Sequence, residues 1–226
     1  MMERTRMWRK NASVMDKLVP FAWGFLAYAL LSCLTFYASG HLIHISMIWN
    51  LFLAFLPLIF SSLLGCKLHK VARIALMVLW LLFIPNAFYV LTDFIHISDL
   101  SYYVGGYYDF KNVDYAKDAV VYLELINITI GYLLALAMGL TSFKNIHQKF
   151  LAKHHSVVLI IFLLIGYAMY IGRFLRLNSW DIFSPLKLWE RVAASCNWFG
   201  LVMTLLFAGY VAAVYGGFRW LARLKK

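Results

Sequence analysis

The sequence predicts an all-α protein, a polytopic membrane bundle of about six transmembrane helices with both termini in the cytoplasm. Hydrophobic residues make up 63% of the 226 positions and charged residues only 14%, and the mean hydropathy is +0.75. Soluble domains are about 45 to 50% apolar, so this composition excludes a soluble fold. The apolar residues also fall into six runs close to the roughly 20 residues that a helix needs to cross a bilayer.

The predicted helices follow one another with short connections and form a single transmembrane domain over residues 1–226. The first is an uncleaved helix, because its apolar run continues past Cys33, where a lipoprotein signal would end. The longest connections, 93–116 and 175–194, are too short for a separate domain. The six helices are predicted over residues 18–39, 45–65, 71–92, 117–141, 155–174 and 195–217.

The distribution of basic residues sets the predicted orientation. Lys and Arg collect in cytoplasmic segments, and most of the 21 here lie inside if the N-terminus is cytoplasmic. These residues sit at helix ends instead of forming one basic face, so membrane lipids are the expected partners and nucleic acid is not. The basic residues on the predicted outer side are Lys111, Lys117, Arg173, Arg176, Lys187 and Arg191.

A polar stripe marks the outer end of the third helix. In IPNAFYVLTDFIHISD, Pro85 is predicted to kink the helix and to free a carbonyl that Asn86 can satisfy. If helical geometry continues, Asn86, Tyr89, Asp93 and His96 share one face. Such groups are costly against lipid, so the stripe is predicted to face the bundle interior. Helix packing by hydrogen bonds is the plainer interpretation.

Glu124 lies about two turns into the predicted fourth helix, and Asn127 shares its face. An ionised glutamate at that depth needs a cation, a metal ion, a water-filled cavity or a proton. The fourth helix therefore adds a second candidate for chemistry at the outer end.

Two arginines end the predicted fifth helix, although the positive-inside rule disfavours them there. Arg173 and Arg176 lie one turn apart and are followed by NSWD. One interpretation is an ion-pair network in which they neutralise Asp93, Glu124 and Asp181. The other is that their forked donors hold a phosphate or carboxylate, and the two roles can coexist.

Together these segments predict an outward-facing polar cluster. A divalent metal ion is a candidate cofactor, whereas haem is not expected, because His41 and His44 in the first outer connection are interpreted as interfacial packing. The candidate catalytic and metal-binding residues are Asp93, His96 and Glu124; the candidate ligand-binding residues are Asn86, Tyr89, Arg173, Arg176, Asn178 and Asp181.

The two outer motifs, FIPNAFYVLTDFIHI and YIGRFLRLNSWDIFSP, resemble those of a bacterial integral membrane family, the domain of unknown function 1361. The resemblance implies a multi-pass protein of the bacterial plasma membrane and supplies no reaction. The residues at its motif positions are Pro85, Asn86, Tyr89, Thr92, Asp93, His96, Gly172, Arg173, Arg176, Asn178, Trp180 and Asp181.

Three functions are compatible with the sequence. The first is a non-catalytic accessory, assembly or binding protein of the cell envelope. The second is a membrane-embedded hydrolase or transferase that acts on a lipid-linked or phosphate-bearing substrate, although neither HExxH nor GxSxG is present. The third is a small transporter or anion-binding protein, which the absence of an inverted repeat and the off-centre polar residues disfavour.

Overall fold

A computed structural model of the chain describes residues 2–98, 100, 102–104, 114–176 and 184–224. The α-helices are α1 (Met2–Ser39), α2 (Ile43–Leu63), α3 (Lys70–Tyr89), α4 (Ala119–Ile146), α5 (His155–Phe174), α6 (Pro185–Ala194) and α7 (Trp198–Leu224). A 3-10 helix (Val90–Ile97) continues α3, a π-helical turn (His147–Leu151) continues α4, and strands β1 (Tyr103–Val104) and β2 (Asp114–Tyr115) pair antiparallel.

The prediction of an all-α membrane bundle is confirmed. Within the described residues, six helical segments are long and apolar enough to cross a membrane. The orientation of the termini stays a prediction. The six segments are Val14–Ser39, Ile43–Leu63, Lys70–Ile97, Ala119–Leu151, His155–Phe174 and Trp198–Leu224.

The helix boundaries differ from prediction at several places, among them the start of α1 at Met2 and the end of α7 at Leu224. The fourth helix was predicted to end at 141, but α4 continues to Ile146 and is followed by the π-helical turn His147–Leu151. Helix α6 lies within the predicted 175–194 connection and mixes charged with apolar residues, so it carries no long apolar run. Hydropathy finds segments that suit lipid, and it misses helices that continue beyond the membrane or lie outside it.

Local sequence accounts for several helix ends. The Asp118 carboxylate accepts the backbone N–H of Val120 at 2.9 Å and caps α4. Gly40, directly after the end of α1, adopts a φ of +73°, a left-handed conformation that glycine reaches without steric penalty. Asp118 thus defines where α4 begins, and Gly40 allows the short turn between α1 and α2.

Helix α2 lies at the centre of one half of the bundle, where it packs against α1, α3 and α4, while α5 packs against α7 and α3. The α5–α7 contact depends on Gly166, where an added Cβ would lie 2.7 Å from the backbone nitrogen of Ala208. Small residues allow this close backbone approach in membranes. Elsewhere the Ser142 hydroxyl donates to the carbonyl of Pro57 at 2.8 Å and accepts the Trp80 indole N–H at 2.8 Å, which joins α2, α3 and α4.

Polar groups collect at the two ends of the bundle. We call one the histidine end, where the start of α2 with His44, the start of α4 with Glu124 and the ends of α3 and α5 meet; it is the predicted outer end. The other is the lysine end, where the Lys149 ammonium donates to the carbonyl of Leu64.

Candidate functional site

The 3-10 helix after α3 brings one row of polar residues toward α5. In a 3-10 helix residues three apart lie directly above one another, so Asp93 and His96 project from the same side. Arg173, in the last turn of α5, reaches this side from the neighbouring helix. We call these residues, with Thr92 and Asn50, the arginine network.

The Arg173 guanidinium is surrounded by acceptors from the 3-10 helix. Its Nη2 lies 2.5 Å from Oδ1 of Asp93 and 2.5 Å from Oγ1 of Thr92, and Nε also donates to that hydroxyl oxygen at 2.8 Å. Its Nη1 lies 3.0 Å from Nε2 of His96, and its plane covers the Tyr89 ring at 4.7 Å from the centroid. Every nitrogen of the guanidinium is therefore directed at the protein itself.

The Asp93 carboxylate is buried with a side-chain exposure of 2% and is bonded at both oxygens. Oδ1 receives Arg173, and Oδ2 receives the amide of Asn50 on α2 at 2.8 Å. A buried carboxylate is tolerated only when a cation and hydrogen bonds replace its lost water. The arginine network thereby joins α2, the end of α3 and α5.

A second group of polar residues, the glutamate network, consists of Glu124, His41, His44, Asn127, Ser32 and Tyr28. Oε2 of Glu124 lies 2.7 Å from Nδ1 of His41 and 3.0 Å from Nε2 of His44. The Glu124 side chain is 3% exposed and that of His44 is fully buried, whereas that of His41 is 55% exposed. His44 therefore belongs to the core and lies in the first turn of α2, not in the first outer connection, where it was predicted to lie.

The hydrogen bonds around Asn127 limit the protonation of His44. The Asn127 amide nitrogen donates to Ser32 at 3.0 Å, and its oxygen lies 3.0 Å from Nδ1 of His44 and 3.3 Å from the Tyr28 hydroxyl. Because an amide oxygen only accepts, Nδ1 of His44 carries a proton. The other ring nitrogen, Nε2, faces the Glu124 carboxylate at 3.0 Å.

Tyr102 lies beside the glutamate network, outside the membrane-spanning segments. Its hydroxyl oxygen is buried, and no polar atom in the described chain bonds to it. Burial raises the pKa of the Tyr102 phenol, and the neighbouring Glu124 and Tyr122 raise it further. The hydroxyl therefore stays protonated near neutral pH.

The structure distributes the predicted site residues unevenly. Asp93, His96, Tyr89 and Arg173 meet in the arginine network, while Glu124 contacts the two histidines instead. Of the three predicted metal ligands, Asp93 and His96 both contact Arg173, whereas Glu124 contacts the two histidines. Among the described residues no three or more His, Cys, Asp or Glu side chains are placed to hold a metal ion. The metal site stays a prediction.

The remaining predicted ligand-binding residues lie apart from both networks or outside the described chain. The Asn86 amide donates to the carbonyl of Phe83 at 3.0 Å, one turn back along α3. Arg176 is exposed and has a φ of +52°. Asn178 and Asp181, with Trp180, lie outside the described residues.

The sequence patterns did not predict several residues of the two networks. Asn50, Ser32 and Tyr28 are single polar groups within apolar helices, the pattern of ordinary helix packing. The spacing of four between Tyr28 and Ser32 places both on one face of α1 and is the signal that could have found them.

A family model described as "Protein of unknown function (DUF1361)" matches residues 49–214. The chain belongs to this family. It is an integral membrane protein with several membrane-spanning helices, as the six apolar helices indicate. No curated protein and no solved structure matches the chain at a significant level. The matched region contains the whole arginine network, whereas His41 and His44 precede it.

Proposed function

We propose that the protein is a non-catalytic binding or accessory protein of the bacterial plasma membrane, whose histidine end faces outward and holds an anionic, lipid-linked ligand. One observation carries this proposal: the two arginines at the end of α5 have opposite environments. Arg173 is directed at the protein's own acceptors, while Arg176, three residues later, is exposed. Arg173 therefore holds the helix ends together, and Arg176 is the arginine that meets a ligand.

The backbone of Arg176 supports a ligand-facing role. Its φ of +52° is the one positive φ among the non-glycine residues that the structure describes. For an L-residue this conformation costs roughly 1 to 2 kcal/mol, and such strain concentrates where function requires it. A guanidinium offers paired N–H donors that match a phosphate or carboxylate.

The surroundings of Arg176 favour a lipid-linked ligand. The side chain follows directly on a membrane-spanning helix that ends at Phe174, so a ligand bound there lies at the membrane surface. The outward orientation is supported by the basic residues, most of which flank the opposite end. The bacterial plasma membrane is the expected location for a member of this family.

The proposal is tested by the binding of a long-chain alkyl phosphate to the detergent-purified protein, with the matching alkyl alcohol as the neutral comparison. Charge-assisted hydrogen bonds contribute about 1.5 to 3 kcal/mol, so Arg176→Gln should weaken phosphate binding by about tenfold or more. Lys117→Gln removes another exposed charge from the same end and should change the Kd by less than about twofold. Equal losses in both variants would refute a specific role for Arg176.

A second candidate function, acid–base catalysis, rests on His41. Its Nδ1 is held by the buried Glu124 carboxylate at 2.7 Å, while more than half of its side chain is exposed. A carboxylate that orients an accessible imidazole is the arrangement of a general base. A phosphate-bearing lipid at the membrane surface would be within reach of such a base.

The two functions give different products. The binding proposal expects the alkyl phosphate and a matching dialkyl phosphate to be recovered intact after long incubation, as measured by mass spectrometry. Catalysis expects cleavage of the diester that His41→Gln abolishes while leaving the Kd for the phosphate unchanged. The second outcome would replace the binding proposal with the enzymatic one.

A further inference from the structure

A polar pocket of about 370 Å³ lies at the lysine end, between α1, the end of α2 and the end of α4. It is far from the networks described above, because Ser62 follows His44 by eighteen residues on one helix, roughly 27 Å at 1.5 Å per residue. Lys17 and Lys149 line it, and no acidic side chain does in the part of the chain that the structure describes. The pocket therefore has a positive potential and is unsuited to a metal cation.

A buried polar group without a partner points to a ligand in this pocket. Ser62 lines it and is only 6% exposed, and its hydroxyl oxygen has no hydrogen-bond partner within the described residues. Its neighbour Ser61 is bonded on both sides, donating to Leu58 at 3.0 Å and accepting from Asn145 at 3.2 Å. Buried hydroxyls are nearly always bonded, so the Ser62 hydroxyl needs an explanation.

The other lining groups supply donors and positive charge. The Lys149 ammonium is held at the pocket by the carbonyl of Leu64, at the turn that ends α2. Lys17 reaches the same space from α1, and Gln148 adds a side-chain amide. A phosphate has only acceptor oxygens and carries negative charge, so it matches hydroxyl, amide and ammonium donors together.

We infer that this pocket binds a phosphate group, either the head group of an anionic lipid or a free phosphate anion. Basic pockets between transmembrane helices on the cytoplasmic side are typical sites for phosphate head groups, and the lysine end is the predicted cytoplasmic end. The inference is independent of the ligand proposed at the histidine end. It assigns Lys17 and Ser62 as binding residues.

Cys66 provides a local readout, because it lines the pocket and is half-buried, whereas Cys33 and Cys196 are exposed. With the last two replaced by serine, the reaction of Cys66 with an uncharged maleimide reports access to the pocket alone. The protein is reconstituted in nanodiscs of phosphatidylcholine, of phosphatidylglycerol, or of phosphatidylcholine with added inorganic phosphate. We expect slower labelling in at least one anionic condition than in phosphatidylcholine alone.

The pattern of protection identifies the source of the phosphate. Protection by phosphatidylglycerol alone assigns a lipid head group, and protection by inorganic phosphate assigns a free-anion site. Lys17→Gln should require about fivefold more of the protecting anion, since one lysine near a membrane surface contributes about 1 kcal/mol. Ser62→Ala should weaken protection as well, while Lys153→Gln, an exposed lysine outside the pocket, should not.

Three outcomes would overturn the inference: equal labelling in all three conditions, protection that survives both Lys17→Gln and Ser62→Ala, or equal loss of protection in Lys153→Gln. The last would show a general effect of surface charge. Melting temperatures in detergent confirm that each variant is folded before its labelling is compared. Arg176→Gln should leave the protection of Cys66 unchanged, because it alters the opposite end.

Discussion

Replacement of Arg173 by methionine should destabilise the protein more than any substitution of an exposed arginine. The change keeps a flexible, unbranched chain but removes the guanidinium, and with it the contact with the Tyr89 ring and every bond to Thr92, Asp93 and His96. The Asp93 carboxylate, 2% exposed, then keeps only its bond from Asn50. A buried charge without its counterion is the main source of the expected loss.

The expected loss of unfolding free energy follows from the burial of both Asp93 and Arg173. Removing one partner of a buried ion pair costs about 3 to 5 kcal/mol, and the Arg173 side chain is itself only 14% exposed. Because the bond from Asn50 remains, we expect a loss of about 3 kcal/mol, the lower end of this range. Asp93→Asn should cost less, about 1 to 3 kcal/mol, because the freed guanidinium can reach water and still covers Tyr89.

The assay is equilibrium unfolding in mixed micelles, followed by circular dichroism, for wild type, Arg173→Met, Asp93→Asn and the double variant. If the two residues form one unit, the double variant should lose about 2 kcal/mol less than the sum of the single losses. Additive losses, or single losses below about 1 kcal/mol, would refute the role of the arginine network in holding α2, α3 and α5 together.

Two further predictions concern packing and orientation. Gly166→Ala should lower the free energy of unfolding by about 1 to 3 kcal/mol, because the added methyl group meets the backbone of α7 2.7 Å away. Gly209→Ala, where the added methyl group has nothing within 4 Å, should be neutral in the same assay. Equal effects of the two substitutions would contradict the close approach of α5 and α7. In intact cells whose other cysteines are replaced, Lys117→Cys should react with a membrane-impermeant maleimide and Gln148→Cys should not, and the reverse would invert the bundle.

The sequence was sufficient for the spans but not for the partners of the polar groups. Hydropathy locates a helix such as α5 without reference to its neighbours, because an apolar segment of sufficient length spans the bilayer whatever it packs against. Which carboxylate Arg173 meets depends on helix packing, and Asp93, Glu124 and Asp181 were all open candidates. The 3-10 geometry after Tyr89 decides it by aiming Asp93 at α5.

The glutamate network likewise shows that the sequence does not predict which polar groups meet. His44 was placed in the first outer connection and interpreted as interfacial, yet α2 begins at Ile43 and directs its side chain to the Glu124 carboxylate. A shift of one residue in the start of the helix would rotate His44 by about 100° away from α4. Helix starts are therefore where polar partners in this protein are decided, and sequence patterns define them least sharply.

The measurement that tests the central claim most directly is the Kd for a long-chain alkyl phosphate in a Lys17→Gln, Ser62→Ala background, where binding in the pocket at the lysine end is weakened. Adding Arg176→Gln to that background should raise the Kd by about tenfold or more while leaving the melting temperature unchanged. An unchanged Kd would contradict the proposal that the exposed arginine at the histidine end holds an anionic ligand.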